Sequence, residues 1–264
     1  MSLLLSPLLT GLAAILGAAL LVWFVSLYKR DVSIVDIFWG LGFIGLTWLY
    51  HSFGPEAGLR QLLLLLLVTV WGLRLSLYLL WRNWGEGEDR RYRAMRDAHG
   101  ERFWWVSLFT IFFLQAGLIW FIALPLFVVQ TCSTPLAWRW TDTVGLLLWS
   151  VGFLFETVGD WQLARFKADP RNREQVMCTG LWAYTRHPNY FGDALVWWGY
   201  FFLALATPEG IWTVGSPVLM TFLLLRISGV ALLEQTISER RPAYRDYIER
   251  TSAFFPWFPK RKVT

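Results

Sequence analysis

Seven apolar runs, each about as long as a membrane-crossing helix, succeed one another along this chain with short polar connectors between them. A backbone in hydrocarbon finds no water to bond, so such runs must satisfy their hydrogen bonds internally, as helices. They fall at residues 7–28, 33–51, 58–81, 104–129, 138–163, 189–207 and 211–233 of 264. Little is left over for a second domain. The chain therefore reads as an all-α integral membrane protein, a seven-transmembrane helical bundle forming one multi-pass domain over 1–264 with a tail at 234–264. A hydrophobic share of 56%, a charged share of 16% and a mean hydropathy of +0.43 exclude an ordinary soluble domain.

The basic residues sort by connector. Lys29 and Arg30 follow the first run, Arg82 to Arg102 the third, Arg165 to Arg186 the fifth and Arg240 to Lys262 the seventh, while the other connectors hold little beyond Arg60 and Arg139. The positive-inside rule then predicts an N-terminus outside and a C-terminus in the cytoplasm, and an odd number of spans agrees. Residues 1–28 lack a basic leading region and carry their charges after the apolar stretch, which predicts a retained first span and not a cleaved signal peptide. The net charge of +5 belongs to these connectors, so the partners it suggests are the lipid bilayer with its anionic headgroups or a phosphorylated cofactor, not nucleic acid. Cys132 and Cys178 are assigned to opposite membrane faces, so neither a disulfide nor a zinc site is indicated. Most of the 18 tryptophans fall near run ends, where an amphipathic ring suits the interface. A monomer is expected.

Ionisable groups inside a span are costly and mark function or mutual pairing. Glu156, Asp160 and Lys167 share one helical face of the fifth run. The two acids could bond ligand hydroxyls or amides while Lys167, Arg165, Arg171 and Arg173 meet phosphates; the alternative is an internal ion-pair ladder with a solvated basic loop. Trp71, Arg74, Tyr78 and Arg82 form a stripe on the third run. Arg74 needs a partner there, and a phosphate, Asp36 or Glu156 could supply it, whereas Arg82 snorkels to the interface. Asp36, early in the second run, could donate a proton or anchor a carbonyl oxygen, or else cap the helix or pair with Lys29 or Arg30.

The densest polar sequence is Gly180-Leu-Trp-Ala-Tyr-Thr-Arg-His-Pro-Asn-Tyr-Phe-Gly192. Pro188 biases His187 toward an extended backbone and can open a helix at Asn189 or Tyr190, whose N-terminus, flanked by Arg186 and His187, could hold phosphate or carboxylate. A basic turn that merely orients the following span is the plainer reading. Past the seventh run, the stretch from Glu234 through Arg240 and Tyr244 to Trp257 mixes charged and apolar residues too closely for a span and reads as a cytoplasmic helix and tail across the bundle mouth. Glu88 to Arg102 reads as an amphipathic surface anchor.

These features, in this order, resemble the steroid 5-alpha-reductase superfamily and, within it, the bacterial branch labelled DUF1295. The resemblance covers most of the chain and is strongest over 145–259. It implies a seven-helix bundle that holds NADPH at its cytosolic side and reduces a carbon–carbon double bond conjugated to a ketone. It places Asp160, Lys167, Asn189 and Asp193 at cofactor positions and matches Arg74 and Tyr78 to a cofactor-contacting pair. The steroid reductases also grip the ketone with an early Gln-Glu pair and a Tyr three residues before the third-span Arg. This chain has no such pair and carries Trp71 at the Tyr position, so Asp36, with Tyr78, is the remaining catalytic candidate.

A related fold is shared by isoprenylcysteine and phospholipid methyltransferases, which bind S-adenosylmethionine through a similar Arg-His-Pro-x-Tyr segment and paired glutamates; here Glu234 is followed by Gln235. The resemblance therefore implies an NADPH-dependent reductase of a lipophilic enone in a bacterial inner membrane. Glu156, Asp160, Arg165, Lys167, Arg171, Arg186, His187, Asn189, Tyr190, Asp193, Glu234, Arg240, Tyr244 and Arg74 are its expected cofactor contacts, and no metal is expected. A methyltransferase or a non-catalytic membrane protein is the alternative.

Overall fold

The computed structural model describes residues 2–54, 58–133, 137–227 and 243–260, all of it helix, turn or irregular chain with one isolated bridge. The long elements are α1 (Ser2–Lys29), α2 (Ile34–Phe53), α3 (Leu59–Asn83) and α8 (Trp140–Ala168). Between α3 and α8 lie the amphipathic α4 (Arg90–His99), then α5 (Phe103–Ser107), a π-helical turn at Leu108–Phe113, α6 (Leu114–Ile122) and α7 (Leu124–Thr131). The expected fourth run thus forms in pieces, parting at Ala123 just ahead of Pro125, which has no N–H to carry a helix through and favours a first turn. The chain continues as α9 (Pro188–Ala204), α10 (Gly215–Phe222), a second π turn at Leu223–Ile227 and α11 (Ala243–Arg250).

Among the described residues, six helical stretches are long and apolar enough to cross a membrane: Leu5–Lys29, Ile34–Phe53, Leu59–Asn83, Arg90–Ile122, Trp140–Ala168 and Pro208–Ile227. The expected run at 189–207 is the exception to the seven. It forms α9, whose 17 residues rise about 25 Å against the roughly 30 Å of a hydrocarbon core. The helix stops because Pro208 cannot donate to the Ala204 carbonyl, which takes the Thr207 N–H in a 3.1 Å turn bond instead. The last expected run continues past residue 227 outside the described residues.

Contacts divide the chain into two compact units, residues 1–138 with 204–213 and residues 139–203 with 214–264. In the first unit α2 and α3 approach at Gly40 and Gly72, where a Cβ on Gly40 would meet the Gly72 carbonyl oxygen at 2.5 Å. Val35, Phe43, Tyr50, Leu64, Val68 and Trp71 fill its core. Trp71, at the position where the resemblance expects a catalytic Tyr, is wholly buried with its ring 5.8 Å from Phe43. It packs.

Candidate functional site

In the second unit a glycine repeat sets the geometry. Gly145, Gly152 and Gly159 recur every seven residues on α8, and Gly192 and Gly199 do so on α9. A Cβ on Gly145 would lie 2.8 Å from the Gly199 carbonyl oxygen, one on Gly152 2.5 Å from that of Gly192, and one on Gly159 3.1 Å from the Asn189 nitrogen. Residue numbers rise on one helix as they fall on the other, so the two run antiparallel with their backbones in contact, as small residues at membrane helix interfaces allow. Heptad spacing keeps the seam facing its partner along the whole length.

This seam delivers the acids. Glu156 and Asp160, one and two turns from Gly152, are only 3% and 5% exposed, and a Cβ on Gly192 would sit 2.4 Å from the Glu156 nitrogen. Asn189, at the start of α9, donates from Nδ2 to Asp160 Oδ1 at 2.9 Å, while its own amide oxygen is buried with no hydrogen-bond partner among the described residues. Asp193 lies one turn further along α9, half-buried. His187 is buried and stacked on Tyr190, ring centroids 5.4 Å apart and 2° from parallel.

The expected single face of Glu156, Asp160 and Lys167 divides in the structure. The acids are buried, whereas Lys167 is exposed beyond the end of the packed seam. Arg165 is also exposed and rests its guanidinium 5.6 Å from the Trp161 ring. Arg165 and Trp161 line, with Gln162, Phe166, Asn172 and Thr179, a recess of about 340 Å³. Arg171 pairs with its neighbour: its guanidinium bonds Asp169 at 2.7 Å, and that acid also accepts the Arg171 N–H at the start of a short turn. The Arg171 hydrogen bonds hold the Asp169 carboxyl below its ordinary range.

The Gly-Leu-Trp-x-Tyr-x-Arg-His-Pro segment does structural work that the sequence reading gave only as its plainer alternative. Gly180 takes φ +62°, left-handed backbone that glycine favours, and a Cβ there would strike the Gln162 amide at 2.4 Å. Gln162 in turn accepts the Leu181 N–H at 3.0 Å, and Trp182 Nε1 donates to the Gly159 carbonyl at 3.1 Å. Arg186 is buried. Its Nη1 donates to the carbonyls of Ile248 at 2.9 Å and Thr251 at 2.5 Å, so a cation caps the C-terminus of α11, where the helix dipole favours it. The Arg186 N–H bonds the Ser252 carbonyl at 2.9 Å, Thr185 Oγ1 bonds that of Phe254 at 2.8 Å, and the Tyr247 hydroxyl donates to the Trp182 carbonyl. Tyr244 is buried beside Tyr247, rings 5.6 Å apart. Glu234 and Arg240 lie outside the described residues.

The first unit holds Arg74, Tyr78 and Asp36. Arg74 and Arg82 flank the Tyr78 ring at 5.5 and 5.9 Å, one turn to either side of it on α3. Asp36 pairs with neither Arg74 nor Lys29. Its carboxylate accepts from Tyr92 Oη at 2.6 Å and from Arg91 Nη2 at 3.0 Å, both on α4, and Gln115 donates to the same Tyr92 oxygen at 3.4 Å. Around it, Asp89 donates its N–H to Ser33 Oγ at 2.7 Å, and Glu88 accepts the Val32 N–H at 2.9 Å and two bonds from Arg96 at 2.7 and 2.8 Å. Burial opposes ionisation of Glu88, yet the Arg96 and Val32 bonds hold its pKa below the ordinary value. Polar side chains thus tie the stretch 88–96 to the start of α2. Nothing in the sequence signals that Tyr92, Arg91 and Gln115 gather at Asp36, because no period in the chain links residues that far apart.

No metal-binding group of three or more His, Cys, Asp or Glu occurs among the described residues. Residues 22–251 match the family described as "Protein of unknown function (DUF1295)". An uncharacterized protein of the fission yeast Schizosaccharomyces pombe is 26% identical over 95% of this chain and 80% of its own length. No solved structure matches the chain.

Proposed function

Because the chain belongs to the DUF1295 family and buries two acids beside an Arg-His-Pro-Asn helix start, we propose that it is an NADPH-dependent membrane reductase acting on the carbon–carbon double bond of a lipophilic enone. The reading follows the resemblance to the steroid 5-alpha-reductase superfamily, and with it go seven spans counting α9, a C-terminus in the cytoplasm, a bacterial inner membrane and a monomer. The observation that carries it is the Glu156–Asp160 pair, held at the α8–α9 seam with Asn189 at hydrogen-bond distance, next in sequence to the recess that Arg165 lines. That order offers acceptors for ribose hydroxyls or a carboxamide N–H, then cations for phosphate. The Asn189 amide oxygen, buried with no partner among the described residues, is a further acceptor.

NADPH, when bound, supplies hydride. In this reading Glu156, Asp160 and Asn189 fix the nucleotide through its hydroxyl and amide groups, and Arg165 and Lys167 neutralise its phosphates. Asp36 and Tyr78 keep their catalytic assignment. Asp36 Oδ1 lies 2.6 Å from Tyr92 Oη, so the two share one proton and Tyr92 joins the donor group.

The test is the nucleotide that co-purifies. Protein extracted without added cofactor, denatured and examined by chromatography and mass spectrometry, is expected to release NADPH or NADP⁺; S-adenosylmethionine would transfer the chain to the methyltransferase reading. Arg165→Ala and Lys167→Ala are each expected to weaken NADPH binding by about 1–3 kcal/mol, the worth of a charge-assisted contact. Unchanged affinity in both removes the end of α8 from the site.

A further inference from the structure

The segment after α11 is held firmly yet leaves its largest apolar groups uncovered. Phe255, Trp257 and Phe258 are 70%, 73% and 77% exposed. They are not on loose chain: the Trp257 N–H bonds the Tyr184 carbonyl at 2.9 Å, the Lys260 N–H bonds the Arg250 carbonyl at 2.9 Å, and Thr185 pairs with Ser252 in a parallel bridge. The Tyr184 ring, itself exposed, meets Phe258 edge-on at 6.0 Å. Pro256 and Pro259 restrict the backbone between them further. Three large aromatic groups fixed in water would be a standing cost, since each carries on the order of 150–250 Å² of surface.

Their place along the fold says what covers them. Phe254 and Phe255 touch Phe191, in the first turn of α9, with ring centroids 5.8 and 6.1 Å away. The tail therefore lies level with one end of that apolar helix. At about 25 Å, α9 is shorter than a hydrocarbon core of roughly 30 Å, so a spanning α9 draws its ends into the boundary layer, where Trp and Phe are favoured. Immediately after the aromatics the sequence turns basic, Lys260-Arg261-Lys262, the charge that anionic headgroups attract.

We propose that Phe255, Trp257 and Phe258 form a wedge that inserts into the bilayer interface, with Lys260 beside them on anionic headgroups, so that this segment is a membrane-docking surface. Through the Arg186 cap and the Thr185–Ser252 bridge, the wedge also fastens the 180–187 segment to the membrane plane. The inference rests on α9 spanning the bilayer, which belongs to the topology proposed above.

The experiment is spin-label accessibility in vesicles of equal phosphatidylethanolamine and phosphatidylglycerol. Cys132 and Cys178 are replaced by Ser, and a label is placed singly by Trp257→Cys, Phe258→Cys, Glu249→Cys on the exposed face of α11, and Trp198→Cys in α9. Labels at 257 and 258 are expected to collide with oxygen several-fold more, relative to a nickel chelate, than the label at 249. Nickel-dominated collisions at 257 and 258 equal to those at 249 place the wedge in water and overturn the proposal. Labels shielded from both reagents place a protein surface over it and overturn it equally. The label at 198 separates the two ideas: a lipid signal there with water at 257 sinks the wedge alone, whereas water at 198 sinks the spanning role of α9.

Discussion

Replacing Gly192 with Ala strikes the contact on which the second unit is built. The added methyl would lie 2.4 Å from the Glu156 nitrogen and 2.5 Å from the Gly152 carbonyl oxygen, whereas ordinary contact begins near 3.4 Å. Both obstacles are helix backbone and cannot rotate away, so α8 and α9 must part by roughly 1 Å at this level, an overpacking that costs about 1–3 kcal/mol. A shift of that size also stretches the Asn189–Asp160 bond from 2.9 Å to beyond hydrogen-bonding range, leaving a buried carboxylate short of a donor at a further cost of about 1–3 kcal/mol. Gly117→Ala serves as the control: nothing lies within 4 Å of its added methyl, and the substitution removes a helix-interior glycine worth about 1 kcal/mol of propensity. Reversible denaturation of the detergent-solubilised protein, followed by tryptophan fluorescence, measures both. Gly192→Ala is expected to lose stability while Gly117→Ala holds or gains it. If Gly192→Ala unfolds with the same midpoint and slope as the parent, the backbones are not in contact at that seam and the placement of Glu156 and Asp160 fails with it.

Arg186→Ala removes two bonds from the end of α11 and is expected to free residues 243–260 for cleavage by an added protease; an unchanged digestion pattern would show that the cap does not hold the tail. Asp36→Asn retains the Tyr92 contact but loses the Arg91 ion pair, and once a substrate is known its turnover is expected to fall by about two to four orders of magnitude with NADPH affinity kept. Normal turnover leaves Asp36 as a tie to α4 alone. The Glu88 carboxyl is held below its ordinary pKa of 4.5, so its contribution is complete above that value and is lost as pH falls through the lower folded value. Hydrogen exchange at the Val32 amide, normalised for intrinsic rate, is therefore expected to lose protection in that acidic window in the parent but to show no such step in Glu88→Gln.

The sequence by itself determined the class. Runs of apolar residues of spanning length admit only helices in a lipid, and Pro208 falls between two expected runs, whereas the expected run at 104–129 passes through Pro125, where the structure parts it. It also singled out Glu156 and Asp160, because charged groups are rare in such runs, while Asn189 entered as a cofactor position through the resemblance. The heptad glycines of α8 and α9 were present in the sequence too, at positions 145, 152, 159, 192 and 199, but a repeated glycine becomes a contact only when a second helix with matching spacing lies against it. Roles were the tertiary decision. Arg186 fits a phosphate by type, and the fold aims it at the carbonyls ending α11; Asp36 could meet Lys29, Arg74 or a substrate, and the fold brings it Arg91 and Tyr92 from more than fifty residues away. Propensity and period act over a few turns of chain. The partner of a buried charge is fixed by which distant groups the packing brings within about 3 Å, where hydrogen bonds and opposite charge offset the cost of desolvation.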